Sequence, residues 1–349
     1  MSTTAPPDLV SVVVPCHNAE AFVAATLESV LAQSYPEVEA VVVDDASTDG
    51  SWAVIAGFVA RHPDRVRALR VDRNRGGGHA RNRGAELARG AYLMFLDADD
   101  VITPGALAAL VGVARGRPGA IAVGDSAKLE LGAGGEWVRT ARDPGPPSED
   151  RDEALRGWLE SSWVPTCAVL WRRDAYEPTG GWDEELARNQ DGDITMRALV
   201  LGASIARTVE LVGLYRMHGD TRVSVSRNFV QANKLQSQIR VLDRLVSMLE
   251  AQGRLPLFAR SLSRSYHAVA MQGFQNGHWE LGREWLGKGR ALARSPAVSA
   301  TPAGRTLERV LGMERKERLV QRLATLGVMS RGRRTLAGLH ARATGETTP

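Results

Sequence analysis

Cysteine is almost absent. Cys16 and Cys167 are the only two in 349 residues, and they lie far apart without paired or metal-type spacing. A disulfide framework and a cysteine-bound zinc site are both excluded, and both thiols are expected as small buried hydrophobes. Long apolar runs are also missing: residues 9–15 (LVSVVVP) and 40–43 are strand-sized, far below the roughly 20 residues of a membrane span. The first eight residues, MSTTAPPD, have neither a basic start nor an apolar stretch. No secretory leader is therefore expected, and the cytosol is the expected compartment.

What is present suits a globular chain of two domains, with 44% apolar residues to build a core. The net charge of +4 is mild but uneven. Residues 304–349 hold ten Arg or Lys against four Glu, so the surplus gathers in the C-terminal tail. Its plain reading is a solvated face of terminal helices; it also leaves room for a peripheral contact with the inner face of a membrane or with a second copy. No nucleic-acid partner is expected.

The first hundred residues alternate short β-branched runs with helix-like segments. Strands are expected at 9–15, 38–44, 66–71 and 91–96, with helices at 21–34, 51–62 and 79–89 between them. Continuous apolar strands alternating with helices imply a parallel sheet covered on both faces, in which ligands bind outside the carboxyl ends of the strands. Asp44-Asp45 and Asp97-Ala98-Asp99-Asp100 both follow such ends, so they should share one rim. Residues 132–147, rich in Gly and Pro, read as a loop or distorted hairpin, a flap beside a site. Segments 163–172 and 204–216 look partly extended, with a helix from about 191 to 201 between them. From 228 onward the pattern is helical: 231–252, 257–276 and 280–294, the last two forming a hairpin that turns at Gly277.

The acidic turn carries the chemistry. Several carboxylates at the end of a buried strand are costly unless a cation compensates. Asp-x-Asp on a tight turn can offer one carboxylate to a hard divalent ion and another to a ligand hydroxyl. The bland alternative is an acidic turn capping the next helix. Residues 74–82 (NRGGGHARN) form a Gly-rich turn entering a helix, able to bring backbone N–H groups or Arg81 near an anion. It lacks the spacing of a dinucleotide fingerprint.

The segments SVVVPCHNAE, VVVDDASTDGS, NRGGGHARNRG and YLMFLDADD, in this order, resemble the donor-binding half of a family 2 inverting glycosyltransferase. The resemblance covers roughly residues 9–220. It implies the GT-A fold: a mostly parallel twisted sheet flanked by helices over 1–227, with a nucleotide-binding half at 1–100 and an acceptor half at 101–227. An all-helical region follows at 228–349. It also implies that a sugar is moved from a nucleotide-diphosphate donor, a UDP-sugar, to a hydroxyl acceptor (a glycan, a lipid-linked intermediate or a small molecule). Pro15, His17 and Asp45 would hold the nucleobase, Arg81 would lie beside the nucleotide, and Asp97 would meet the ribose. Asp99 would bind the metal, Mn2+ or Mg2+, through the diphosphate, with Asp100 in support. Tyr215-Arg216-Met217-His218 resembles the family's late segment that returns to the diphosphate, with His218 as a further metal ligand or a phosphate contact.

In the family a Glu-Asp pair opens the late helix and its Asp is the general base. This chain has Gln190-Asp191, which keeps the base at Asp191 and departs at the position before it. Asp193 and Arg197, four apart, are expected to form a structural ion pair. Trp163, Trp171 and Trp182 are candidates for stacking on a sugar, with core packing as the alternative for each. The Gln-x-x-Arg-Trp motif and membrane helices of processive synthases are absent, which points to a single-transfer enzyme. Two other classes fit parts of the pattern. A nucleotidyltransferase would carry a Gly-rich, Arg/Lys-bearing loop directly after strand one, where Pro15-Cys16-His17-Asn18 stands. A non-catalytic binding protein would account for Gln190.

Overall fold

The computed structural model describes residues 8–132, 134–145, 148–160, 163–217, 231–293, 299 and 301–325. Its contacts fall into two compact units, Met1–Arg227 and Asn228–Pro349.

The first unit begins with β1 (Val10–Cys16), α1 (Val23–Leu31), β2 (Val38–Asp44), α2 (Ser51–Arg61), β3 (Val66–Arg70), α3 (Gly77–Leu87) and β4 (Tyr92–Phe95). Val10, Val12, Val13 and Val14 of β1 and Val41, Val42 and Val43 of β2 have no exposed surface. Burial on both sheet faces explains why these strands read as unbroken apolar runs. β1 pairs in parallel with β2 and β4, and β2 with β3. The register sets Cys16 against Asp44 and Val13 against Phe95. The carboxyl ends of β1, β2 and β4 therefore open on the same edge, where His17, Asp45 and Asp97 follow.

The second half of the sheet is mixed. It contains β5 (Val101–Ile102), β6 (Ala120–Leu131), β7 (Trp137–Asp143), β8 (Val169–Arg172) and β9 (Ser204–Met217), with α4 (Ala106–Ala114), α5 (Arg151–Leu159), the single turn α6 (Arg173–Tyr176) and α7 (Gln190–Leu201). Among the described residues the strand order is β3-β2-β1-β4-β8-β6-β9-β5, with β7 on β6. β8 runs antiparallel to β4 and β6, β5 antiparallel to β9, and β6 parallel to β9. Parallel order thus holds for the leading strands and gives way beyond β4. Short links such as the β6–β7 connection are too brief for the crossover that parallel strands need. β6 and β7 form a distorted hairpin, with a register shift between Ala127 and Leu129.

The edge opposite the strand carboxyl ends is held by a buried charge. Glu39, 2% exposed, accepts from Ser11 Oγ at 2.6 Å, from the Arg89 N–H at 2.9 Å and from Arg89 Nη2 at 2.7 Å, with Arg67 Nη2 at 3.1 Å. Burial alone would push its carboxyl up; these donors outweigh it and hold it below the usual carboxylate range. Burial, with Asp44 next, raises the Cys16 thiol to about 12, consistent with a packed and inert cysteine.

The second unit is helical: α8 (Ala232–Ala251), α9 (Leu255–Gln275), α10 (Trp279–Leu292), α11 (Pro302–Leu311) and α12 (Met313–Thr325). α9 and α10 form a hairpin that turns at Gly277 (φ 83°), and Phe258, Tyr266, Phe274 and Trp285 are buried along it. Among the described residues no helix is long and apolar enough to cross a membrane.

α3 lies on the sheet through Gly84, where an added Cβ would overlap Val13 Cγ1 and crowd Val43 Cγ2 at 3.4 Å. Gly84→Ala would gain about 1 kcal/mol of helix propensity. Overpacking against fully buried valines costs about 1–3 kcal/mol and should win. A melting temperature about 2–6 °C lower is expected by calorimetry; an unchanged or higher value would show that α3 sits off the sheet.

Candidate active site

The acidic turn is tight and anchored. The Asp100 N–H donates to the Asp97 carbonyl at 3.0 Å, closing the turn directly after β4. From α1, the buried Thr26 hydroxyl lies 2.8 Å from the Ala98 carbonyl and 2.7 Å from that of Asp100. From the end of β9, the Arg216 N–H donates to Asp100 Oδ1 at 2.9 Å, and its Nη1 to the Asp99 carbonyl at 2.7 Å. Pairing of Val101 with Leu214 sets that register. The Arg216 guanidinium rests against the rings of Phe22 and Trp137, 5.6 and 5.4 Å away.

At the ends of β1 and β2, His17 Nδ1 lies 2.8 Å from the Asp45 carbonyl, while Pro15 is half-buried in β1. The Asp45 side chain, 2% exposed, accepts from the Arg75 N–H at 2.9 Å and the Gly76 N–H at 2.7 Å. Its carboxylate therefore shapes the glycine turn, where Gly76 adopts φ 91°. That turn opens α3, which carries Arg81. Arg81 Nη2 donates to Asp97 Oδ1 at 2.5 Å and its Nη1 to Gln190 Oε1 at 3.2 Å, with the guanidinium 4.7 Å from the Trp182 ring centroid. α3 reaches the 180–190 segment closely because Gly78 lacks a Cβ, which would lie 3.1 Å from Gln190 Nε2. Asn82 and His79 add bonds to Trp182 and Glu184.

Asp191 stands in the first turn of α7 and accepts from Trp163 Nε1 at 2.5 Å. It borders a small cleft with Phe95, Val164, Trp171, Trp182 and Ile194. The three tryptophans divide: Trp171 and Trp182 are 3% and 4% exposed and belong to the core, whereas Trp163 is 44% exposed. Asp193 and Arg197 form the expected ion pair at 2.6 Å, fully buried on the aspartate side. Arg197 also donates to the Thr179 and Gly181 carbonyls and so ties α7 to the preceding loop.

Asp97, Asp99 and Asp100 each bring a carboxylate oxygen within 4.8 Å of the other two. Burial first, then the Asp99 and Asp97 charges, raise the Asp100 carboxyl well above its ordinary value. Asp97 is raised by burial although a third of its side chain is open; Arg81 opposes the shift, and Asp99 and Asp191 add to it. Burial lowers the Arg216 guanidinium from its usual range, against the pull of Asp100 and Asp99. Two arginines thus face three carboxylates, and among the described residues Asp100 Oδ2 is buried without a hydrogen-bond partner. A hard divalent cation fits that donor set and that charge deficit. His218 lies outside the described residues. Sequence reasoning missed Thr26 and the Trp163–Asp191 bond, and had Arg216 only as part of the segment that ends at His218: a threonine in a helix carries no motif, and a side-chain bond between distant residues has no period.

A strand-edge acidic turn, a glycine turn bearing an arginine and a mixed sheet with flanking helices define a glycosyltransferase of the GT-A fold. Residues 11–177 match the family described as Glycosyl transferase family 2. It is 28% identical over 309 residues to an uncharacterized glycosyltransferase of Nostoc sp., covering 86% of this chain and 94% of that protein. It is 40% identical over 92 residues to the putative teichuronic acid biosynthesis glycosyltransferase TuaG of Bacillus subtilis, covering 26% of this chain and 36% of TuaG. The fold is also that of residues 1–349 of S. aureus TarS, solved in complex with UDP-GlcNAc: TM-score 0.64, 20% identity, covering 91% of this chain and 92% of that one.

A carboxyl raised by burial binds its proton more readily in the fold than in the unfolded chain. Ionising it therefore costs stability as pH rises through the folded value, and a bound cation relieves that cost. Mn2+ or Mg2+ should raise the melting temperature, and the rise should shrink as pH falls from 8 toward 5 while protons compete for Asp97 and Asp100. Scanning fluorimetry at stepped pH reads this out; no cation effect at pH 8 would exclude the cluster as a metal site.

Proposed function

We propose that the chain transfers a sugar from a UDP-type donor to a hydroxyl acceptor in one displacement that inverts the anomeric carbon. A divalent cation assists, and Asp191 is the general base. The observation that carries this reading is the Arg81 bridge. One guanidinium holds Asp97 of the acidic turn at 2.5 Å and Gln190, the residue before Asp191, at 3.2 Å. A donor on the acidic turn and an acceptor at the start of α7 would thereby meet across a single side chain. The UDP-GlcNAc bound to the similarly folded TarS supports the donor class.

In this reading Pro15 and His17 border the base of the nucleotide, with Asp45 fixing the glycine turn beside it. Arg81 flanks the nucleotide, Asp97 meets the ribose, and Asp99 holds the cation with Asp100 in support and His218 as a further ligand. Residues 1–100 serve the donor, 101–227 the acceptor, and 228–349 form a helical appendage. Mn2+ or Mg2+, when bound, supplies positive charge against the departing diphosphate. Asp191 takes the proton of the acceptor hydroxyl as its oxygen bonds to the anomeric carbon. The bond from that carbon to the β-phosphate oxygen breaks, and its electron pair leaves with the nucleoside diphosphate.

General-base help supplies about 10²–10⁴ in rate. Asp191→Asn should therefore bind donor normally and turn over slower by about that factor in a UDP-release assay; near-normal turnover would remove Asp191 from the mechanism. Asp99→Ala should abolish the thermal protection that UDP with Mn2+ gives the parent protein, and undiminished protection would remove Asp99 as a metal ligand. The released product separates the classes, since a nucleotidyltransferase would yield pyrophosphate instead of UDP. The anomeric configuration of the product, read by NMR, tests inversion.

A further inference from the structure

Trp163 is a large apolar side chain left 44% exposed, whereas the same fold buries Trp171 and Trp182 almost completely. Burial does not explain its placement. Two directed contacts do. Its indole N–H donates to Asp191 Oδ2 at 2.5 Å, and its ring meets Tyr215 edge to face, with centroids 5.5 Å apart and an interplanar angle of 79°. Tyr215 precedes Arg216 on β9, whose main chain and guanidinium grip the acidic turn. One strand end therefore braces the metal-type cluster on one side and the tryptophan on the other.

We propose that Trp163 is a positioning residue for Asp191: its N–H occupies Oδ2, fixes the rotation of the carboxylate and leaves Oδ1 to receive the acceptor's proton. The inference rests on the reading of Asp191 as general base. A hydrogen bond to a charged carboxylate locks geometry as well as adding energy, and a misdirected base loses rate without losing its charge. Tyr215 keeps the indole from swinging away. Trp163 itself exchanges no proton with substrate in this arrangement.

Histidine makes the test specific. The five-membered rings of tryptophan and histidine superpose, so the Nε2–H of a histidine stands where the indole N–H stood, whereas phenylalanine keeps a ring and lacks the donor. Trp163→Phe is expected to lower kcat about 10- to 100-fold, the usual worth of a hydrogen bond to a charged group. Donor KM and thermal protection by UDP with Mn2+ should stay unchanged, and Trp163→His should recover most of the rate. Trp163→Phe added to Asp191→Asn should cost nothing further. Equal losses in the Phe and His variants would overturn the donor role, as would full turnover in Trp163→Phe while Asp191→Asn is inactive. Full turnover in Asp191→Asn would overturn the general-base reading and this inference with it, a result distinct from failure at Trp163 alone.

Discussion

Three carboxylates whose oxygens lie within 4.8 Å of one another cannot all ionise at a strand edge without positive charge close by. Two arginines from distant parts of the chain supply it. Arg81 arrives on α3 and Arg216 on β9, and each is aimed by a local device: a glycine turn for the first, a two-residue antiparallel pairing for the second. β9 lies between β6 and β5, and its pairing with β5 brings Arg216 to Asp99 and Asp100; α3 packs on β1 and brings Arg81 to Asp97.

The same arginines connect the site to its surroundings. Arg81 ends on Gln190, so the opening of α7 is positioned by the parallel half of the sheet. Gln190 is neutral. It accepts from the guanidinium without adding a further negative charge next to Asp97 and Asp191. Asp193 with Arg197 then holds α7 from below, through the Thr179 and Gly181 carbonyls, which separates the holding of the helix from the use of Asp191.

Much of the first unit was legible because its signals are local. Valine runs buried on both faces, an acidic pair at one strand end and an acidic turn at another are each confined to a few neighbouring residues. The strand at 38–44 coincides with β2, and the late helix expected from 191 begins at Gln190. The mixed half of the sheet was less legible, since pairing partners such as Tyr92 with Arg172 or Val101 with Leu214 are far apart in sequence and short. Contacts of this kind have no period. Thr26 beneath the acidic turn and Trp163 on Asp191 were hidden for the same reason, and the sorting of three tryptophans into two core residues and one exposed residue depends on packing alone.

Asp45 holds the glycine turn with both of its oxygens. An asparagine there would turn an NH2 group toward a backbone N–H in a place closed to water, donor against donor, and the loop that opens α3 would have to rearrange. Loss of activity on altering this aspartate would therefore be ambiguous between a missing ligand contact and a misplaced Arg81. A defect at this position diagnoses scaffolding before it diagnoses recognition, and a genetic screen that scored only activity would misfile it.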